Sequence, residues 1–169
     1  ISDFSSRDFV LCLENQLCKR FLYTGGGFIP SALINLSGVT FLHIHPGKLP
    51  EMRGADCTYW SWLLNGRSAG SFFFMECGID DGDVIVSEYL PIAQINDVTH
   101  TNDAKTLYRA IFSFYDPWVR SYILRRAIQV TDEFNTFNRH PQNSSLSMNF
   151  YFMHEKLQKV ALGRFQNST

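Results

Sequence analysis

The sequence predicts a single α/β domain, in which a mostly parallel sheet is flanked by helices and followed by a helical C-terminal tail. Short apolar, strand-forming runs alternate with helical spacing in the first hundred residues, whereas apolar residues recur at helical spacing from residue 102 onward. A packed core is expected because 45% of the 169 residues are hydrophobic, including 15 Phe. We place the sheet-forming core in residues 1–100, and we expect residues 101–169 to pack on that same domain as an extension.

Each element follows from a local pattern. Five strand-like runs are rich in aromatic and β-branched residues, and two intervening segments have the apolar spacing of helices. The run at 38–45 is almost continuously apolar, as expected for a strand that is covered on both faces. The strand-like runs are 8–13, 19–26, 38–45, 68–79 and 82–92, and the helices are 28–34 and 54–66.

The connections are also predicted locally. Asp80-Asp81-Gly82 separates the last two strand-like runs, which indicates a hairpin or a close pair of strands. The helical region that follows is interrupted at Asp116-Pro117, because proline breaks a helix interior. A polar loop is expected over 137–147, and then a short strand-like start that leads into a final helix.

Charge and cysteine content narrow the function classes. The formal net charge is −1, from 15 basic and 16 acidic residues, so we expect no broad electrostatic attraction to nucleic acid or to membranes. No apolar run approaches the ~20 residues of a membrane span. The four cysteines form no CxxC pair, and we expect reduced, mostly buried thiols in a cytoplasmic protein.

The His43-Ile44-His45 motif, at the end of a predicted strand, admits three interpretations. The two histidines could be loop residues with backbone partners. They could bind a metal with Asp80, Asp81 or Cys77, although no spacing singles out a third ligand. They could also perform acid/base chemistry beside a carboxylate, with a donor that holds a carbonyl oxygen.

Two motifs bear on this choice. "HIHPGKLPEMRG" places His45 before Leu49-Pro50 and Gly54, and "GIDDGD" follows at residues 78–83. Together they resemble the catalytic core of the 10-formyltetrahydrofolate-dependent formyltransferases, whose pattern is Asn-x-His-x-Ser-x-Leu-Pro, then Gly, and later Gly-Leu-Asp-x-Gly. The resemblance covers residues 19–92 and implies a partial Rossmann-like fold of the formyltransferase type.

The resemblance implies three catalytic residues. His45 falls on the family's catalytic histidine and Asp80 on its aspartate, so Asp80 would orient and support His45 during proton transfer and oxyanion stabilisation. His43 stands where the family has Asn, whose amide donates to the formyl oxygen, and Gly47 stands in the region of the family's Ser. No metal is required for this chemistry.

The resemblance also implies a donor, 10-formyltetrahydrofolate, and a small-molecule amine acceptor such as a nucleotide-linked amino sugar. "LYTGGGFIP" resembles the strand and loop that receive the pterin ring. The residues expected to bind the donor lie in this segment and in the acidic loop. They are Tyr23, Gly25, Gly26, Gly27, Phe28 and Ile29, together with Gly78, Ile79 and Asp81.

Two alternatives stay open: a formyl-folate hydrolase, and a non-catalytic folate- or ligand-binding domain degenerate at His43. Family members carry about half of a nucleotide-fold domain before the strand at 19–26, whereas only residues 1–18 precede it here. A partner segment that replaces this half, or a homo-oligomer, is therefore also considered. We expect Arg53, which follows the histidine loop, to be a solvated loop residue.

Overall fold

The predicted α/β class is confirmed by a computed structural model, which describes residues 4, 6–25, 27–91 and 103–167. The strands are β1 Arg20–Tyr23, β2 Thr40–His45, β3 Arg53–Gly54, β4 Ala69–Phe74, β5 Val84–Tyr89 and β6 Asn149–Phe150. The helices are α1 Arg7–Glu14, α2 Ser31–Ile34, α3 Cys57–Asn65, α4 Ala104–Ala110, α5 Asp116–Val130 and α6 Glu155–Asn167. A π-helical turn, Ile111–Tyr115, joins α4 to α5, and a 3₁₀ turn spans Ser144–Leu146.

The main sheet is mixed, so the prediction of a mostly parallel sheet is wrong. Its order is β1-β2-β4-β5, and only the β1–β2 pair is parallel. A parallel crossover would have to return the chain to the end where β2 began. Only residues 66–68 separate α3 from β4, and β4 starts beside the C-terminal end of β2, with Ser71 opposite His45. The predicted close pairing of β4 with β5 is confirmed.

The segment predicted as a first strand, residues 8–13, is the helix α1 instead. The Ser6 side chain accepts from the Phe9 N–H at its N-terminus, as a helix cap does. Leu13 is buried, and Phe9 and Val10 pack on the same small core. Positions 9, 10 and 13 have the spacing of one helix face, although the residue types in this segment are also common in strands.

The predicted interruption at Asp116-Pro117 is a change of helix type rather than a break. Ile111–Tyr115 form the wider π turn, which directly precedes Pro117 in the first turn of α5. The helical path from residue 104 to residue 130 is therefore unbroken.

The two faces of the main sheet are covered differently. Leu42 and Ile44 of β2 pack with Val119 and Ile123 of α5 on one face. Because side chains alternate along a strand, His43 and His45 point to the opposite face. On that face, α1 and α2 pack around Phe41 at the start of β2. At the other end of the strand, the loops that carry Met52 and Asp80 reach His45.

Three of the four cysteines, Cys12, Cys18 and Cys77, are exposed, so the prediction of mostly buried thiols is wrong. Only Cys57, at the start of α3, is buried. Across the described ranges, no helix combines the length and the apolar character that crossing a membrane would require.

The approach of α5 to β4 gives a stability prediction. A Cβ added at Gly70 would lie 2.5 Å from Cγ1 of Ile123. We expect Gly70→Ala to lower the free energy of unfolding by about 1–3 kcal/mol, through overpacking. Combined with Ile123→Ala, which removes the clashing atoms, the loss should be smaller than the sum of the two single losses. Chemical denaturation of the four proteins measures this coupling.

Gly163→Ala is the matched control, since a Cβ there meets nothing within 4 Å. Gly163 lies within α6, so alanine should leave stability unchanged or raise it by up to about 1 kcal/mol. Strict additivity of Gly70→Ala and Ile123→Ala would contradict the described packing.

Candidate active site

His45 is enclosed at the centre of the site, with 2% of its surface exposed. Its Nε2 donates to the Met52 carbonyl at 3.0 Å, and its Nδ1 lies 3.3 Å from Asp80 Oδ2. Both ring nitrogens therefore face acceptors. Nε2 carries a hydrogen, since the Met52 carbonyl can only accept. A hydrogen bond between Nδ1 and Oδ2 therefore requires a second hydrogen, on one of these two atoms. The sequence prediction placed His45 and Asp80 together, and the structure brings them into contact.

Gly47 makes room for this histidine. A Cβ at residue 47 would lie 2.6 Å from His45 Nε2 and 2.9 Å from Cβ of Cys57. The buried Cys57 thus packs against the same backbone, and burial raises the pKa of its thiol. The glycine in the region of the family's Ser is a steric requirement of the position that His45 occupies.

The acidic loop crosses the sheet face to reach His45. The loop follows β4, whose last residue, Phe74, pairs with Leu42. The loop therefore starts three residues away from His45 along β2. Asp80 adopts a left-handed conformation with φ +46°, and its Oδ2 accepts from the Gly54 N–H at 2.7 Å. One carboxylate oxygen therefore holds the Gly54 loop and faces His45 at the same time.

Gln142 fixes the acidic loop from the C-terminal region. Its side-chain amide donates to the carbonyls of Asp80 at 3.0 Å and Gly82 at 2.8 Å. Its Oε1 accepts from Nη2 of Arg53 at 2.8 Å. Sequence reasoning missed Gln142, which lies in a segment predicted only as a polar loop and has no local signal of its role.

Arg53 belongs to the same clamp. It lies 3.2 Å from Asp81, and its side chain is 12% exposed, so the expectation of a solvated loop arginine is wrong. The parallel pairing of β3 with β6 holds its backbone, and the Arg53 N–H donates to the Met148 carbonyl. Burial here follows from contacts with distant segments, which the local sequence does not encode.

An ion pair on α5 supports β2 from the opposite face. Asp116 and Arg120 are 2.6 Å apart, at the i,i+4 spacing of facing helix residues. Arg120 also donates to the carbonyl of Ile44, and Thr58 of α3 donates to Asp116 at 3.2 Å. The bond to Ile44 lies between the two histidines in sequence, so α5 fixes the strand that carries them.

His43 lies beside His45 but has different partners. Its Nδ1 is 2.7 Å from the carbonyl of Tyr23, the residue opposite it in β1. Its ring is nearly perpendicular to that of Phe73, with 5.8 Å between the ring centroids. His43 is half-buried, and its ring lies between β1 and β4 rather than in the Asp80 pair.

Burial has the largest influence on the pKa of both histidines. It lowers the pKa of His43 and of His45 below their ordinary value of 6.5. The positive charge of Arg120 lowers both pKa values further. Asp80 opposes these effects, most strongly at His45, and carbonyl hydrogen bonds oppose them too.

The segment predicted to receive the pterin begins beside His43. Tyr23 ends β1, and Gly25 follows it; a Cβ at Gly25 would touch the Tyr23 ring at 3.0 Å. Gly27 has φ +92° with open space around its Cβ position, and Phe28 is 80% exposed. Ile29 is instead 7% exposed and packs in the core, so its side chain is not available to a ligand. Gly26 lies outside the described residues.

The acidic-loop residues predicted to bind the donor differ in availability. Ile79 is 45% exposed. Asp81 is held by Arg53, and a Cβ at Gly78 would lie 2.8 Å from Asp81 Oδ2. Among the described residues, no group of three or more His, Cys, Asp and Glu is arranged to hold a metal ion.

A second feature is a cleft of about 570 Å³ at the β5 edge of the sheet. Tyr89 of β5 lines it. Ser87, two residues earlier in β5, is opposite Ser71 of β4, which is in turn opposite His45 of β2. Lys48, from the loop after His45, places its Nζ 5.5 Å from the centre of the Tyr89 ring. The cleft therefore lies at the same end of the sheet as His45. Its lining includes Arg67, Glu88, Tyr89, Tyr122, Arg125 and Arg126.

Comparison with known proteins places this site in a wider group. Residues 24–111, just over half of the chain, match the formyl transferase family. Methionyl-tRNA formyltransferase from Syntrophus aciditrophicus is 30% identical over 69 residues, 40% of this chain and 22% of that protein. Cytosolic 10-formyltetrahydrofolate dehydrogenase from Mus musculus is 32% identical over 83 residues, 48% of this chain and 8% of that protein. The chain spans about a quarter of the length of the methionyl-tRNA formyltransferases that it matches.

Solved structures share the fold. A sugar N-formyltransferase from a Shewanella species superposes with a TM-score of 0.56 at 16% identity, covering 96% of this chain and 65% of that one. HypX from Aquifex aeolicus, in complex with tetrahydrofolic acid, gives a TM-score of 0.57 at 18% identity, covering 88% of this chain and 24% of that one. The partial Rossmann-like fold predicted from the sequence is thereby confirmed.

The Gln142 clamp predicts a local effect. We expect Gln142→Leu to lower the free energy of unfolding by about 1–3 kcal/mol, because the Asp80 and Gly82 carbonyls lose their donor. The amide of Gly54 should then exchange with solvent faster, since its acceptor is Asp80. Hydrogen exchange followed by NMR measures both effects.

Asn143→Leu is the matched control, because the Asn143 side chain caps only the 3₁₀ turn at Ser145. It should leave the exchange of the Gly54 amide unchanged. Equal exchange of that amide in the Gln142 variant and the unmodified protein would show that the clamp does not hold the loop.

Proposed function

Because the chain belongs to the formyl transferase family, we propose that it transfers a formyl group from 10-formyltetrahydrofolate to an amine. The observation that carries this proposal is the buried His45–Asp80 pair, 3.3 Å apart, with His43 on the same sheet face. Formyl transfer needs a proton acceptor for the attacking amine and stabilisation of a carbonyl oxygen that becomes negative. A histidine–carboxylate pair with little exposure to water supplies the stabilisation of that oxygen.

His45 and Asp80 have separate roles in this proposal. Protonated His45 stabilises the negative charge that develops on the formyl oxygen, in a surrounding of low dielectric where that charge is poorly screened. The negative charge of Asp80 opposes the lowering of the His45 pKa by burial, and so favours the protonated form of His45. The Gly54 N–H and the Gln142 clamp keep Asp80 in position for this role.

The donor site is supported by the end of β1. Tyr23, Gly25, Gly27 and Phe28 form an open stretch beside His43, with Phe28 exposed and space around Gly27. A flat heterocycle can bind the backbone of such a stretch while an exposed aromatic ring covers it. The tetrahydrofolic acid complex of the structurally similar HypX protein is consistent with this donor class.

The acceptor proposed here carries a phosphate, as a nucleotide-linked amino sugar does. Arg67, Arg125 and Arg126 line the cleft at the β5 edge, where Glu88 is the only carboxylate among the lining residues. Arg126 is held by Glu88 at 2.9 Å, and Arg67 stacks 4.6 Å from the centre of the Tyr89 ring. Guanidinium groups that are positioned in advance bind phosphate with two parallel hydrogen bonds each.

Arg67 has an unpaired buried nitrogen that an anion in this cleft would stabilise. Its Nη2 donates to the Leu90 carbonyl at 3.2 Å, but its Nε is buried and has no hydrogen-bond partner among the described residues. Such a cation is costly to bury, and a nearby negative charge would stabilise it. The similarity to a sugar N-formyltransferase supports the same acceptor class.

The catalytic assignment is tested with purified protein and 10-formyltetrahydrofolate. Loss of the formyl group is followed with and without amine acceptors, including nucleotide-linked amino sugars. We expect His45→Ala and Asp80→Asn each to lower kcat/KM by about 10²- to 10⁴-fold, because stabilisation of the charge on the formyl oxygen depends on the pair. Tetrahydrofolate binding should persist in both variants.

His154→Ala is the control, because His154 is exposed and immediately precedes α6. Formyl loss without any amine would indicate a hydrolase instead. Binding of the donor with no turnover under either condition would indicate a non-catalytic domain, and the proposed transfer would then be wrong.

The acceptor assignment is tested with inorganic pyrophosphate as the probe. We expect Arg125→Glu to weaken its binding about tenfold or more, because the exposed Arg125 faces no partner among the described residues and is replaced by a repelling charge. Isothermal titration calorimetry at low salt measures the change. Lys159→Glu makes the same charge change on α6 and should leave binding unaltered; equal weakening by both variants would argue against a defined cleft.

A further inference from the structure

We propose that His43 acts as a proton acceptor through Nε2, and so does not reproduce the donor role of the asparagine that occupies this place in the family. This inference rests on the proposed formyl transfer and assigns a different chemical role to one of its residues. It is carried by the geometry of the imidazole ring, beginning with its Nδ1.

The hydrogen bond at Nδ1 fixes the tautomer. Nδ1 lies 2.7 Å from the Tyr23 carbonyl, and a carbonyl oxygen can only accept. The proton must therefore be on Nδ1. In the neutral ring Nε2 then carries a lone pair and no hydrogen, so it cannot donate to a formyl oxygen as an amide N–H does.

The surroundings of His43 favour that neutral ring. The rings of Phe73 and Tyr23 pack against the imidazole, with centroid-to-centroid distances of 5.8 and 5.9 Å. Burial among these rings disfavours the charged form. The charged and titratable groups that act on it are Arg120, His45 and Asp80. Arg120 and a protonated His45 repel a second positive charge, and the weaker attraction of Asp80 offsets only part of that repulsion.

His43 Nε2 is also the ring nitrogen of the two histidines that is left available. His45 uses Nε2 for the Met52 carbonyl and Nδ1 for Asp80. Among the described residues, His43 Nε2 has no hydrogen-bond partner, and it is not enclosed as Nε of Arg53 is. Its lone pair is therefore available to a reacting group.

In the proposed step, His43 takes a proton from the attacking amine and later gives it to the departing donor nitrogen. The amine nitrogen forms a bond to the formyl carbon with its lone pair, and the carbonyl electrons move to the formyl oxygen. The proton that the amine loses goes to Nε2 of His43. The bond from the formyl carbon to the donor nitrogen then breaks, the carbonyl re-forms, and His43 returns the proton to the departing nitrogen.

The step also predicts a pH dependence. His43 must be neutral to accept a proton, so activity is present above its pKa and lost as the pH falls through it. Because burial lowers that pKa, the loss is expected below pH 6.5. Asparagine cannot titrate, so His43→Asn should lack this acid limb even though it restores the amide of the family pattern.

The tautomer is tested directly on the unmodified protein. Long-range ¹⁵N–¹H NMR of the histidine rings distinguishes a protonated Nδ1 from a protonated Nε2, and a titration gives the pKa of His43. We expect a proton on Nδ1 alone at pH 7.5. A proton on Nε2 at that pH would overturn the inference, and this readout does not depend on any activity.

The role is tested by pH–rate profiles. In the unmodified protein the acid limb of kcat should match the titration of His43, and His43→Asn should lower kcat about 10²-fold or more and remove that limb. His154→Asn, the same substitution at an exposed histidine, should leave both kcat and the acid limb unchanged. An acid limb that persists in His43→Asn would assign the acceptor to another group. If the unmodified protein transfers no formyl group while Nδ1 carries the proton, the proposed function fails and the tautomer stands.

Discussion

The hydrogen bond from the Gly54 N–H to Asp80 Oδ2 is the contact on which the site depends. It joins the loop that follows His45 to the loop that follows β4, and these two loops meet over the face of the sheet that carries both histidines. The same oxygen faces His45 Nδ1 at 3.3 Å. Gly54 has φ +103° and packs its Cα against the Phe150 backbone, so only glycine fits where this N–H must point.

The C-terminal region contributes to the site as much as the motifs do. Gln142 holds the acidic loop by two carbonyls, and β6 pairs with β3 to fix Arg53 and Gly54. From the other face, Arg120 binds the carbonyl between the two histidines. These contacts join residues that lie 60 to 96 positions apart in the chain. The motif residues therefore depend on helical and loop segments that carry no motif of their own.

Much of this arrangement could be predicted from the sequence, and the failures have physical causes. The pairing of His45 with Asp80 was predictable because the two motifs stand at the spacing of a known family. The mixed sheet was not, because strand direction is set by how far α3 carries the chain. The first helix was missed because Phe9, Val10 and Leu13 suit either a strand or a helix, and the Ser6 cap decides between them. Gln142 and Arg53 were missed because their partners are distant in sequence.

His43 shows most clearly what the structure adds to the motif. A residue that replaces asparagine would be interpreted from sequence as an imperfect donor, but its bond to the Tyr23 carbonyl leaves a lone pair at Nε2. The most direct test is a crystal structure with a formyl-folate analogue whose formyl group cannot be transferred. The formyl carbon should lie beside His43 and His45, with Nε2 of His43 facing the side from which an amine would attack. Binding of the analogue away from both histidines would contradict the proposed site.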